Sequence, residues 1–191
     1  MVSLSVRLSV LLQLFCSVVL SRETLEDAAK NLRKIMYQQS ALHVNTIDRN
    51  SADPASFIEY HVSSDKCDGV DHNGNPILVL VDMSSSIRNW NENQRISVTV
   101  EDTFSCGTIM SSPRATLFGK LTEMNTTAEL TSCFKYYHPD AEEWMPKQSV
   151  EQGHHHTSKF YQLEVERIYY LGGFGDVSYI GPIEAELYRS S

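Results

Sequence analysis

The chain switches between two hydrophobic periods, and the switch points mark its elements. Leu25, Ala28, Ala29, Leu32, Ile35 and Met36 recur at three- and four-residue spacing behind Thr24, a good N-cap. That spacing predicts an amphipathic helix over residues 25–38. From Ala41 to Ile47 the period drops to two, and again from Phe57 to Val62, which predicts strands with one buried face. A continuous apolar run, Ile77 to Val81, follows a turn-rich stretch containing Asn73-Gly74, the strongest short hairpin signal. Segments 57–62 and 77–82 are therefore expected to pair antiparallel.

Ile96 to Val100 alternates cleanly as a further strand, and Ala115 to Met124 as a longer one with Leu117, Gly119 and Leu121 on one face. Thr126-Thr127 opens a helix with Leu130, Cys133, Phe134 and Tyr137 on one side, stopped by His138-Pro139. Another helical turn falls at Ala141 to Trp144. Phe160 to Leu171 reads as the last long strand, and Leu171 to Gly181 as a glycine-bearing return. About six mostly antiparallel strands with helices outside them predict a closed or nearly closed barrel of the α+β class.

The first residues stand apart from this pattern. Arg7 is followed by an uncharged apolar run from Leu8 to Leu20, shorter than the roughly 20 residues a membrane-spanning helix needs. Val19 and Ser21 are small enough for a cleavage site, and the chain turns polar at Arg22-Glu23. Residues 1–21 read as a secretory signal peptide and residues 22–191 as one domain. Cleavage would take the net charge from −8 to −9 by removing Arg7. It would also remove Cys16, leaving Cys67, Cys106 and Cys133, so that at most one intramolecular bridge forms. Delivery to the secretory route makes Asn125-Thr126-Thr127 a glycosylation site on an expected surface turn. With 16 Lys and Arg against 24 Asp and Glu and no basic window, nucleic-acid binding is excluded.

Familiar catalytic and metal patterns fail one by one. His154-His155-His156 cannot converge on one ion from a strand, because neighbours point to opposite faces, and it reads as a solvated loop. In the acidic loop, aligning Gly74 with the calcium-loop glycine puts Gly69 and Leu80 where acidic ligands belong. Gly173-Phe174-Gly175 lacks a third glycine at Ser178 and runs into Pro182 instead of a helix, unlike a dinucleotide fingerprint. Neither Gly-x-Ser-x-Gly nor His-Glu-x-x-His occurs. No metal site or catalytic residue is assigned.

Several strings in fixed order carry a family resemblance. They are Ser56-Phe57-Ile58-Glu59-Tyr60, the run Ile77 to Met83, Arg88-Asn89-Trp90-Asn91-Glu92-Asn93, Ser112-Pro113-Arg114-Ala115, His138-Pro139 with Trp144, and Gly172-Gly173-Phe174-Gly175. Across residues 25–185 the chain resembles the CREG-like family of secreted glycoproteins, whose fold is the FMN-binding split barrel shared with pyridoxamine-phosphate-oxidase-like and HugZ-type proteins. The resemblance implies a six-stranded split β-barrel with flanking helices, a homodimer, and a non-catalytic regulatory or receptor-binding role in cell growth or lysosomal homeostasis. It also implies location outside the cell or in the endosome and lysosome lumen, with the Asn125 glycan as a handle for a sorting receptor. No cofactor is expected on this reading. The alternative is an FMN- or haem-dependent oxidoreductase that keeps the ancestral pocket.

Flavin-binding relatives hold the FMN phosphate ahead of the Arg-Asn element, which maps here to Ser84, Ser86 and Arg88 as a vestigial site. HugZ-like relatives show His-Thr where this chain has Ser86-Ile87, which removes one donor. The family also often places a second Cys after the Ser-Pro element, and Ala115 follows it here. Cys106 then pairs with Cys133 or with Cys67; Cys106–Cys133 is favoured because Cys67 lies in a turn.

Overall fold

The structure is a computed structural model in which residues 22–146 and 157–191 are described. The expected signal peptide and His154-His155-His156 lie outside the described residues. Helix α1 spans Leu25–Gln38 and starts with a capping box. Thr24 Oγ1 accepts the Asp27 amide at 3.1 Å, while the Asp27 carboxylate accepts the Thr24 amide at 3.2 Å. Ala28, Ala29, Leu32, Ile35 and Met36 form its buried stripe, as the spacing predicted.

Among the described residues seven strands follow: β1 (Ala41–Ile47), β2 (Pro54–Ser63), β3 (Pro76–Val81), β4 (Ser97–Glu101), β5 (Arg114–Glu123), β6 (Ser158–Leu171) and β7 (Ile180–Glu184). The other α-helices among the described residues are α2 (Ser85–Asn93), α3 (Ala128–Tyr137) and α4 (Ala185–Ser190). The sheet order is β3-β2-β1-β4-β5-β6-β7, and β3 also pairs with β6. That last pairing closes six antiparallel strands into a barrel, with β7 added where the expected return over 171–181 ends. The expected pairing of 57–62 with 77–82 holds, with His61 opposite Leu78 and Val62 opposite Ile77.

Strand β6 makes the closure possible because it is long enough to serve three partners. It pairs with β5 along one edge; along the other it pairs with β3 over Ser158–Gln162 and with β7 over Arg167–Leu171. Between those partners the barrel is split, and its backbone groups need other company. Asn75 Oδ1 accepts the Val165 amide at 3.4 Å, and Arg189 Nη1 donates to the Val165 carbonyl at 2.8 Å. Opposite, the β5–β6 register shifts between Phe118 and Gly119. A Cβ on Gly119 would stand 2.0 Å from the Glu164 carbonyl oxygen, so only glycine permits this approach.

Two apolar clusters result. The barrel interior joins Leu42, Val44, Leu78, Leu80, Val98 and Leu117 to the stripe of α1. Outside, Val62, Ile77 and Phe160 pack against Leu130 and Phe134 of α3 and Ala141 of the 3-10 segment Pro139–Trp144. Burial on both faces explains why β3 reads as a continuous apolar run and not as an alternation. Phe134 and Phe160, fully buried and 5.7 Å apart edge to face, each contribute about 2 kcal/mol of burial.

The disulfide corrects the expected pairing. Cys67 is bonded to Cys133 with Cα atoms 5.5 Å apart, while Cys106 is a free, exposed thiol on the β4–β5 loop. The β2–β3 loop is held, which the turn-rich sequence concealed. Residues 64–66 form a 3-10 turn, Arg33 of α1 clamps Asp65 with hydrogen bonds of 2.5 and 2.7 Å, and Asn73 accepts from the Ser64 hydroxyl. Cys67 is thereby fully buried against α3.

Candidate functional site

The link from β3 to α2 carries the three residues that the resemblance singles out. Ser84 is the N-cap of α2, its Oγ accepting the Ile87 amide at 3.4 Å. At 100° per residue, Ser84 and Arg88 fall on one side of the helix start and Ser86 on the other. Accordingly Arg88 is exposed, whereas Ser86 is 1% exposed and donates its hydroxyl to Glu59 Oε1 of β2 at 2.6 Å. Ile87, where HugZ-like relatives carry a hydroxyl, is buried in the core. The structure therefore brings Ser84 and Arg88 together and turns Ser86 away from them.

Glu59 is the residue that the sequence reading passed over. It stands opposite Leu42 of the barrel interior, two residues from Phe57 and two from His61, all on one face of β2. A charged residue at an apolar-phase position was the available signal. Burial raises its carboxyl above the usual carboxylate range, and the Ser86 hydroxyl offsets part of that shift.

Beside Glu59 lies a cavity of about 310 Å³ lined by Ile58, Tyr60, Val79, Phe134 and Trp144 among others. Its wall is tightly braced. The Tyr60 ring stacks on His138 with centroids 4.5 Å apart, and its hydroxyl donates to Asp140 at 2.5 Å. That hydrogen bond holds the Asp140 carboxyl below its ordinary range. His138 Nε2 lies 2.9 Å from the His61 carbonyl, so this nitrogen carries the proton; burial lowers the His138 imidazole. His138 is thus a structural group here, committed on one nitrogen and stacked between Tyr60 and Phe134.

The three groups do not converge as a set on one phosphate position. Of the three implied donors, Ser86 is spent on the Glu59 carboxylate, which leaves Ser84, itself capping α2, and the exposed Arg88. Among the described residues no cluster of three or more His, Cys, Asp or Glu could hold a metal, and no helix is long and apolar enough to cross a membrane. Asn125 is exposed between β5 and the Thr127 N-cap of α3.

Compared with curated protein sequences, the chain finds no match. Solved structures match it well at low identity, which shows the fold. A heme-binding protein from Mycobacterium smegmatis superposes with a TM-score of 0.66 at 19% identity, over 91% of this chain and 62% of that one. The chain thus spans less than two thirds of that protein. A FAD-binding protein from Mesorhizobium loti gives 0.50 at 13% identity, over 73% of this chain and 91% of that one. A putative pyridoxamine 5'-phosphate oxidase from Listeria innocua gives 0.50 at 10% identity, over 76% and 98%. The barrel therefore shares its fold with these proteins. The profile of the CREG beta-barrel family matches residues 23–190, nearly all of the described chain. The chain belongs to the CREG beta-barrel family.

Proposed function

We propose that this protein is a secreted or endolysosomal glycoprotein of the CREG type that acts by binding other macromolecules and not by redox catalysis. The carrying observation is the Ser86–Glu59 hydrogen bond, which turns one of the three implied phosphate donors inward and spends it on a half-buried carboxyl. The Cys67–Cys133 bridge suits an oxidising compartment, and exposed Asn125 is open to a glycan that a sorting receptor reads. A homodimer completes this reading.

The second reading, a retained haem or flavin site, draws on the cavity beside Glu59 and on split-barrel proteins that bind heme or FAD. Absorption spectra of the purified secreted protein, titrated with FMN and then with haemin, separate the two. The expected result is no flavin band near roughly 450 nm and no saturable spectral change at millimolar FMN. Saturable binding that Arg88→Ala abolishes would establish the cofactor reading in its place.

A further inference from the structure

A second cleft lies away from Ser84, Ser86 and Arg88, none of which lines it. It measures about 660 Å³ and is bounded by the start of β2, the end of α2, β4 and the bulged stretch of β5 and β6. Two arginines border it. Arg167 of β6 lies over the Phe118 ring, its guanidinium carbon 3.9 Å from the centroid, which fixes the side chain in place. Arg95 follows Gln94, whose left-handed backbone (φ 55°) ends α2 and turns the chain into β4.

Among the described residues neither guanidinium has a hydrogen-bond or carboxylate partner. Arg33, Arg114 and Arg189 are committed, to Asp65, to the Met110 and Ser112 carbonyls and to the Val165 carbonyl. Arg22, Arg49 and Arg88 also lack side-chain partners among the described residues, but none of them borders the cleft. Glu166 also lines the cleft, but its carboxylate is taken by Lys120 at 3.0 Å. A chain of net charge −8 therefore keeps a locally cationic cleft.

The floor is polar and pre-ordered. Asn45 Nδ2 donates to Ser97 Oγ at 3.3 Å and to Thr99 Oγ1 at 2.9 Å, and Asn45 Oδ1 accepts from Ser56 Oγ at 2.8 Å. Ser97, having accepted, keeps a hydroxyl proton to donate, and Ser56, having donated, keeps lone pairs to accept. A ligand suited to this floor must itself both donate and accept, as sugar hydroxyls do. A ligand suited to the rim must carry an oxyanion, which a planar guanidinium binds through two parallel hydrogen bonds. The overall negative charge disfavours a long polyanion, whose approach depends on the field of the whole protein.

We propose that this cleft binds an acidic saccharide: a sugar bearing one phosphate, sulfate or carboxylate, with the oxyanion on Arg95 and Arg167 and the hydroxyls on Ser56 and Ser97. The test is calorimetric titration of the intact protein at low salt with glucose 6-phosphate, glucose 6-sulfate, glucuronic acid, glucose, and inorganic phosphate and sulfate. At least one charged sugar should bind at least about tenfold tighter than glucose and tighter than its bare anion. Arg95→Gln and Arg167→Gln should each weaken it about tenfold, and Arg167→Lys should not restore it, because lysine lacks the planar fork. Thermal melts of each variant establish that it is folded. No binding by any charged sugar, equal binding of glucose, or variants that bind as the parent does would overturn the proposal. Bare phosphate or sulfate binding as tightly as the sugars would remove its saccharide half.

Discussion

Replacing His61 with leucine should flatten the acid limb of this protein's stability curve. His61 shares the face of β2 that carries Glu59, is 1% exposed, and neither of its ring nitrogens meets a partner among the described residues. Burial, helped by the nearby charges of Lys66 and His138, lowers its imidazole to about 3. In the unfolded chain the same group titrates near ~6.5. Between those values the unfolded chain takes up a proton that the folded chain refuses, so stability is full above the unfolded value and falls as the pH falls. At about 1.4 kcal/mol per pH unit, going from pH 7 to pH 5 costs about 2 kcal/mol through this one residue. His138, also lowered by burial, is present in both proteins and cancels in the difference. Urea unfolding followed by tryptophan fluorescence, at pH 7 and at pH 5 with the disulfide intact, measures it. The parent should lose about 2 kcal/mol more than His61→Leu over that interval. At pH 7 the variant should be as stable or more so, since each orphaned buried nitrogen costs on the order of 1 kcal/mol or more. Parallel pH profiles for the two proteins would refute a neutral, buried His61.

Two further predictions concern the frame. Cys67→Ser should lower stability by about 4 kcal/mol, the chain-entropy value for a bridge spanning 66 residues, whereas Cys106→Ser should stay within about 0.5 kcal/mol. Peptide mapping without reduction should recover the Cys67–Cys133 pair, and recovery of Cys106–Cys133 would reverse the assignment. Gly119→Ala should cost on the order of 2 kcal/mol or more, because its methyl meets the Glu164 carbonyl in the backbone of the adjacent strand. A melting temperature equal to the parent's would show that the β5–β6 bulge adapts.

What could be read from the sequence was local. Thr24 and the Leu25–Met36 stripe specify α1 through residues within one turn of each other, and the alternations of β1 and β4 match their buried faces. Closure of the barrel joins Ile77 to Gln162 and Val81 to Ser158, and no periodicity reports a pairing across eighty residues. The cysteine pairing failed for the same reason: Asp65 looked like a turn residue until Arg33, thirty-two positions earlier, was found holding it. At the site, the order of the strings marked Ser84, Ser86 and Arg88, which lie at the start of α2. The partner that turns Ser86 inward was invisible, because Glu59 appeared only as one letter of a strand motif. Arg95 and Arg167 are distant in sequence and border one cleft only in the folded sheet, beside the β5–β6 irregularity where Glu166 is the extra residue of β6.

The double duty of β6 also bears on how the chain is made. Emerging from a ribosome, residues up to 146 include β3 and β5 but not the strand that joins them. Until β6 follows, both carry bare backbone edges, and β3 is apolar on both sides. N-to-C synthesis at about 5–20 residues per second leaves that half-built sheet waiting for seconds, the interval in which chaperones shield such edges. Truncations before residue 158 should accordingly aggregate instead of forming a smaller barrel, and β6 is the segment whose arrival makes the nascent chain safe.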